Sequence, residues 1–280
     1  MVLTWGSIRT PEAQKNLSEA LKPLIGAELS NLKIPVAAAA EFEPSQIGTI
    51  VGTLVDAMLP HMAEKLQVGL TKNPSLLGAR EGYPDYAHSS GYRLELKGLF
   101  KDNLNVILKK PPTPREPSAR LTQKVTVNNV RPDEDALLIV AYHLAPTQAD
   151  NTLLSPVIVD FFISPVIDCV SARDHRLAAR GGKWFGDYET PGVLSKAGKR
   201  KLKAGQALNE EVYGRKESEG HDFNEDTNFG KLKRIPHKPI QEFLAKHNAA
   251  FAASGTYPEA WRIVADGSAE LLAELDEDDD

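Results

Sequence analysis

From Tyr92 the apolar residues take up the two-residue period of strands. Tyr92, Leu94 and Leu96 alternate with Arg93, Glu95 and Lys97, the pattern of a half-buried strand. Short β-branched-rich runs follow at Val125–Val130, Ala136–Leu144 and Pro156–Ile163, separated by Pro, Asp and Asn turn signals, and each is expected as a further strand. The preceding stretch has the other period. Ile47, Ile50, Val51, Leu54, Val55, Met58 and Leu59 recur three and four residues apart after Pro44-Ser45, which predicts a helix over Pro44–Gln67 packed against a sheet. Gly48 and Gly52 on it mark close helix–sheet packing. Helices are also expected over Ser171–Arg180 and Ile240–Ser254. Strand and helix periods alternating in one chain imply layers, so the expected fold class is α/β, a mixed central sheet flanked by helices.

Composition excludes several function classes. One cysteine, Cys169, among 280 residues allows neither a disulfide framework nor a thiolate zinc site. The seven histidines lack H-x-x-x-H or H-E-x-x-H spacing. The most apolar stretch, Leu153–Val170, holds Asp160, Asp168 and two prolines, which a membrane span would not tolerate. The N-terminal residues show no signal pattern, so a cytoplasmic protein is expected. There is no G-x-x-x-x-G-K-[ST], G-x-G-x-x-G after a strand, or G-x-S-x-G, which removes the usual nucleotide hydrolases and serine esterases.

One constellation remains. Pro84-Asp85 precedes a turn-like His88-Ser89-Ser90-Gly91, and Glu95-Leu96-Lys97 follows as the sole acid-x-Lys in the chain. Strand alternation puts Glu95 and Lys97 on one face, about 7 Å apart at Cα. Two carboxylates at the mouth of a hairpin suit a hard divalent cation, and an adjacent ammonium can orient water or offset charge on a phosphorane. The bland alternative is an ordinary same-face ion pair on a hairpin.

This arrangement, over roughly residues 41–170, resembles the PD-(D/E)XK nuclease superfamily. The resemblance implies a restriction-endonuclease-like fold with Asp85, Glu95 and Lys97 as catalytic residues and Mg²⁺ held by Asp85, Glu95 and Leu96. It also implies an acidic residue from the helix before the motif, for which Glu41, Glu43 and Glu64 are candidates. Lys124 is a further candidate for the same cleft, or an edge charge. Arg173-Asp174-His175-Arg176, with Asn224 and His237, matches an HNH pattern poorly and reads better as a polar helix face.

Charge points to a partner. The formal net charge is −5, but residues 173–238 hold 15 Lys+Arg against 10 Asp+Glu, and Asp276–Asp280 are all acidic. Lys196, Lys199, Arg200, Lys201 and Lys203 form one basic run and Lys231, Lys233, Arg234 and Lys238 another, while Lys183 lies in the loop Gly181–Gly186. Such runs suit phosphate contacts along double-stranded DNA, or a solvated face. The expected organisation is one domain over 1–265 with a basic insertion at about 173–238, a proline-rich crossing at Lys109–Ser118, and a disordered acidic tail at 266–280. A stand-alone chain of this size looks most like a Type II restriction endonuclease: a homodimer with a cognate methyltransferase. The alternatives are a repair, recombination or transposon-end nuclease of the same superfamily, or a non-catalytic DNA-binding module.

Overall fold

The computed structural model describes residues 3–29, 32–73, 83–109, 119–121, 125, 127, 129–179, 184–185, 190–191 and 230–247. In chain order the elements are α1 (Pro11–Leu21), β1 (Ile34–Pro35), α2 (Val36–Ala39), α3 (Pro44–Lys65), β2 (Leu70–Lys72), β3 (Tyr86–His88), β4 (Arg93–Phe100), β5 (Asp135–Pro146), β6 (Leu153–Pro165), α4 (Val166–Ala179), β7 (Trp184–Phe185), β8 (Thr190–Pro191) and α5 (Lys238–His247). Among the described residues β7 and β8 pair with each other, and the other strands form one sheet of order β1-β6-β5-β4-β3-β2. That sheet is mixed, because β4 and β5 run parallel while their other neighbours are antiparallel.

Two apolar layers enclose the sheet. Ala136, Leu138, Val140, Tyr142 and Leu144 of β5 join Leu94 and Leu96 of β4 in a core shared with α1 and α3. Leu137, Ile139 and Ala141 face the opposite way, into a core with Val166, Cys169 and Val170 of α4 and Ile240, Phe243 and Leu244 of α5. β5 is therefore buried on both sides, which explains why its sequence is continuously apolar rather than alternating. The mixed α/β sheet flanked by helices is as expected.

The helix expected over 44–67 is α3. Pro44 stands in its first turn and Glu43 forms a capping box with Gln46, satisfying main-chain donors left open at a helix start. Its glycines act as anticipated: a Cβ at Gly48 would lie 3.1 Å from Phe100 Cβ, and one at Gly52 would lie 3.0 Å from the Tyr142 hydroxyl. That hydroxyl donates to the Gly48 carbonyl at 2.9 Å, so glycine lets the helix main chain approach the sheet.

Three expectations need correction. The described residues of 125–130 form no strand; Val125 and Val130 are buried in the second core, while Val127 is exposed. Both edges of β5 are already paired with β4 and β6, so β-branched side chains there gain burial without a ladder. The helix expected from Ser171 begins at Val166, directly after Pro165. Pro165 ends the strand, and Asp168 in the first turn suits the helix dipole. The helix expected from Ile240 begins two residues earlier, at Lys238. The crossing at 110–118 and the tail at 266–280 lie outside the described residues, as does most of the basic insertion.

Candidate metal centre

β3 and β4 form a hairpin in the register Tyr86↔Leu94 and Ala87↔Arg93, closed through Gly91 at φ 101°, a conformation favouring glycine. Asp85 lies in a bend immediately before β3, near enough to Glu95 for its charge to act on that carboxyl. The Asp85 carboxylate turns back to the hairpin, and its Oδ2 accepts the Leu96 N–H at 2.8 Å. Lys97 Nζ donates to Glu95 Oε1 at 2.6 Å. The chain thus brings together Asp85, Glu95 and Lys97. Leu96 points its side chain into the first core, so what it can offer a cation is its main-chain carbonyl.

The alternation of β4 suggested a half-buried strand, but Glu95 is only 2% exposed. Burial is the largest influence on its carboxyl and Lys97 opposes it; with the Asp85 charge adding, the group is pushed up to about 7. Burial likewise raises Asp85, against Lys97 and the Leu96 N–H. A carboxylate as dry as Glu95, with a second carboxylate's charge acting on it, resists full ionisation unless positive charge is supplied.

Glu95 Oε2 is buried and has no hydrogen-bond partner among the described residues. A buried carboxylate oxygen without a donor is costly and marks a place for an ion or water. Among the described residues no group of three or more His, Cys, Asp or Glu side chains could hold a metal, so a cation here would rest on two carboxylates, a main-chain oxygen and waters. That sparse, all-oxygen set fits Mg²⁺, which keeps several waters and needs few protein ligands.

Asp56 of α3 was not considered among the candidates from the sequence. Glu41 and Glu64 are exposed and Glu43 caps α3, whereas the α3 carboxylate whose charge acts on Asp85 is Asp56. Asp56 follows Gly48 and Gly52 at four-residue steps, which puts it on the ridge that approaches the sheet; that spacing was the available signal. Asp56 is already engaged. Both its oxygens accept from Lys72 Nζ at 3.1 Å, and Oδ1 also accepts the Tyr86 hydroxyl. Lys72 sits 4.5 Å from the centroid of the Tyr86 ring.

The remaining candidates divide. Lys124, Lys183, Lys196, Lys199, Arg200, Lys201, Lys203 and Asn224 lie outside the described residues. In the second basic run Lys233 is 1% exposed, so it is not presented to a duplex. Arg173 is 2% exposed, with Nε 2.8 Å from Asp174 and Nη2 donating to the Val125 carbonyl at 2.7 Å, so it does not lie on the exposed polar helix face expected. Among the described residues no helix is long and apolar enough to cross a membrane. No protein-family model matches the chain, and neither a curated protein nor a solved structure matches it.

Proposed function

We propose that the chain is a Mg²⁺-dependent DNA endonuclease of the PD-(D/E)XK type, hydrolysing phosphodiester bonds in double-stranded DNA. The observation that carries this reading is the convergence of Asp85, Glu95 and Lys97 at the hairpin, with Lys97 on Glu95 and a buried Glu95 Oε2 that has no hydrogen-bond partner among the described residues. The mixed sheet between helical layers is compatible with a restriction-endonuclease-like fold.

In this reading Asp85, Glu95 and the Leu96 carbonyl hold the cation, which when bound polarises a phosphoryl oxygen and acidifies a water. Lys97, already within hydrogen-bond reach of Glu95, orients the attacking water on the side of the phosphorus away from the leaving oxygen. As the water oxygen bonds to phosphorus, the bond to the 3′ or 5′ oxygen breaks and the water's proton passes to solvent or to the leaving oxygen. The Lys97 ammonium offsets charge gathering on the phosphoryl oxygens.

The finer reading is a Type II restriction enzyme. One Asp85–Glu95–Lys97 cluster cuts one strand, so two chains are needed for two strands, and a two-fold dimer would match a short palindromic site. A methyltransferase of the same specificity would then protect the host. Incubating the purified protein with plasmid DNA and Mg²⁺ tests both levels. Discrete fragments with a common end sequence, lost in EDTA, are expected; full cutting in EDTA refutes the metal reading. Nicking of one strand, or ends without a common sequence, moves the role to repair, recombination or transposon-end cleavage.

The 2.6 Å Glu95–Lys97 contact also favours one competing reading, a DNA-binding module in which that pair is structural. Duplex binding without any Mg²⁺-dependent cleavage would select it.

A further inference from the structure

Beside the proposed cation site lies a buried carboxylate with no part in the chemistry just described. Asp135, the first residue of β5, is fully buried. Its Oδ2 accepts the Tyr83 hydroxyl at 2.5 Å, the Arg131 main-chain N–H at 2.9 Å and Arg93 Nη2 at 3.3 Å. Arg93 Nε lies 2.8 Å from Oδ1, and the Arg93 guanidinium stands 5.5 Å from the centroid of the Tyr83 ring.

The two side chains that meet on Asp135 occupy equivalent places. Tyr83 stands two residues before Asp85, and Arg93 stands two residues before Glu95 on the same strand face. Arg93 and Asp135 are also partners in the parallel β4–β5 register. A single carboxylate therefore grips both segments that carry the proposed ligand carboxylates. The Asp85 segment is held at its other end by Asn73, whose main-chain N–H donates to the Asp85 carbonyl and whose side-chain amide donates to the Pro84 carbonyl, both at 3.1 Å.

We propose that the Tyr83–Asp135–Arg93 triad is a positioning device that sets the separation of Asp85 from Glu95 and thereby the affinity of the site for a divalent cation. The inference rests on the metal-site reading above. Mg²⁺ and Mn²⁺ demand short, strict distances, so a small drift between two carboxylates weakens binding steeply. Asp135 and Tyr83 touch neither cation nor substrate and act only through Asp85 and Glu95.

Isothermal titration of the full chain with Mn²⁺, without DNA, tests this directly. Tyr83→Phe deletes one hydroxyl and keeps the ring beside Arg93; Asp135→Asn is the second variant. Removing such outer partners lowers metal affinity by roughly 10–100-fold, so at least a tenfold weaker Mn²⁺ affinity is expected for Tyr83→Phe, with cleavage restored at saturating metal. A smaller loss overturns the inference and leaves the metal-site reading standing. A lower melting temperature with unchanged Mn²⁺ affinity overturns it too, since the triad is then only structural. Absence of Mn²⁺ uptake by the wild-type chain overturns the metal-site reading, and this inference with it.

Discussion

Replacing Glu95 by Gln should stabilise the protein at neutral pH while abolishing cleavage, and the size of the effect follows from its burial. The carboxyl is 2% exposed and is raised from its ordinary 4.5 to about 7. Between those values the folded state holds a proton that the unfolded chain has released, so stability falls as pH rises and stops falling above about 7. At about 1.4 kcal/mol per pH unit the loss is on the order of 3 kcal/mol. Glu95→Gln cannot ionise and escapes it. At pH 4.5 both proteins place a largely neutral side chain beside Lys97, so the influence of the lysine largely cancels in the comparison. The melting curves of variant and wild type should nearly coincide at pH 4.5 and separate by roughly 10 °C at pH 8, at about 2–4 °C per kcal/mol for a chain of this size. Mg²⁺ at a hundred times its Kd should restore about 2.7 kcal/mol to the wild type alone. Thermal unfolding in parallel buffers from pH 4.5 to 8 measures all of this. Curves that run parallel across that range would refute the claim that burial of an ionising Glu95 destabilises the fold.

Other perturbations separate chemistry, binding and packing. Lys97→Ala should lower turnover by ~10²-fold or more while duplex binding by gel shift survives; near-normal cutting would return Lys97 to a structural ion pair. Neutralising Lys196, Lys199, Arg200, Lys201 and Lys203 should weaken binding to every duplex alike and reduce the log–log salt slope by roughly 0.9 for each phosphate that is no longer neutralised; an unchanged slope would assign these charges to solvent. Gly52→Val should cost ~1–3 kcal/mol in a denaturant melt, because a Cβ there already meets the buried Tyr142 hydroxyl at 3.0 Å; unchanged stability would mean that α3 can lift off the sheet freely.

Local sequence determined whatever depends on the order of residues within one element. The spacing of Ile47, Val51, Val55 and Leu59 made α3, and the alternation from Tyr92 to Lys97 put Glu95 and Lys97 on one face of β4. The same alternation did not reveal what covers that face. Burial of Glu95, and with it the carboxyl held near 7, arises only once whole elements pack together. Nor could a strand-like composition at 125–130 show that β5 had already given its hydrogen-bonding edges to β4 and β6. Asp56 reaches the electrostatics of Asp85 because Gly48 and Gly52 let α3 come close, and Asp135 meets Tyr83 across 52 residues of chain. Such pairings are non-local: period and turn chemistry fix which side chains share a face, whereas which faces meet, and how dry the charges between them become, is decided by the packing of whole elements.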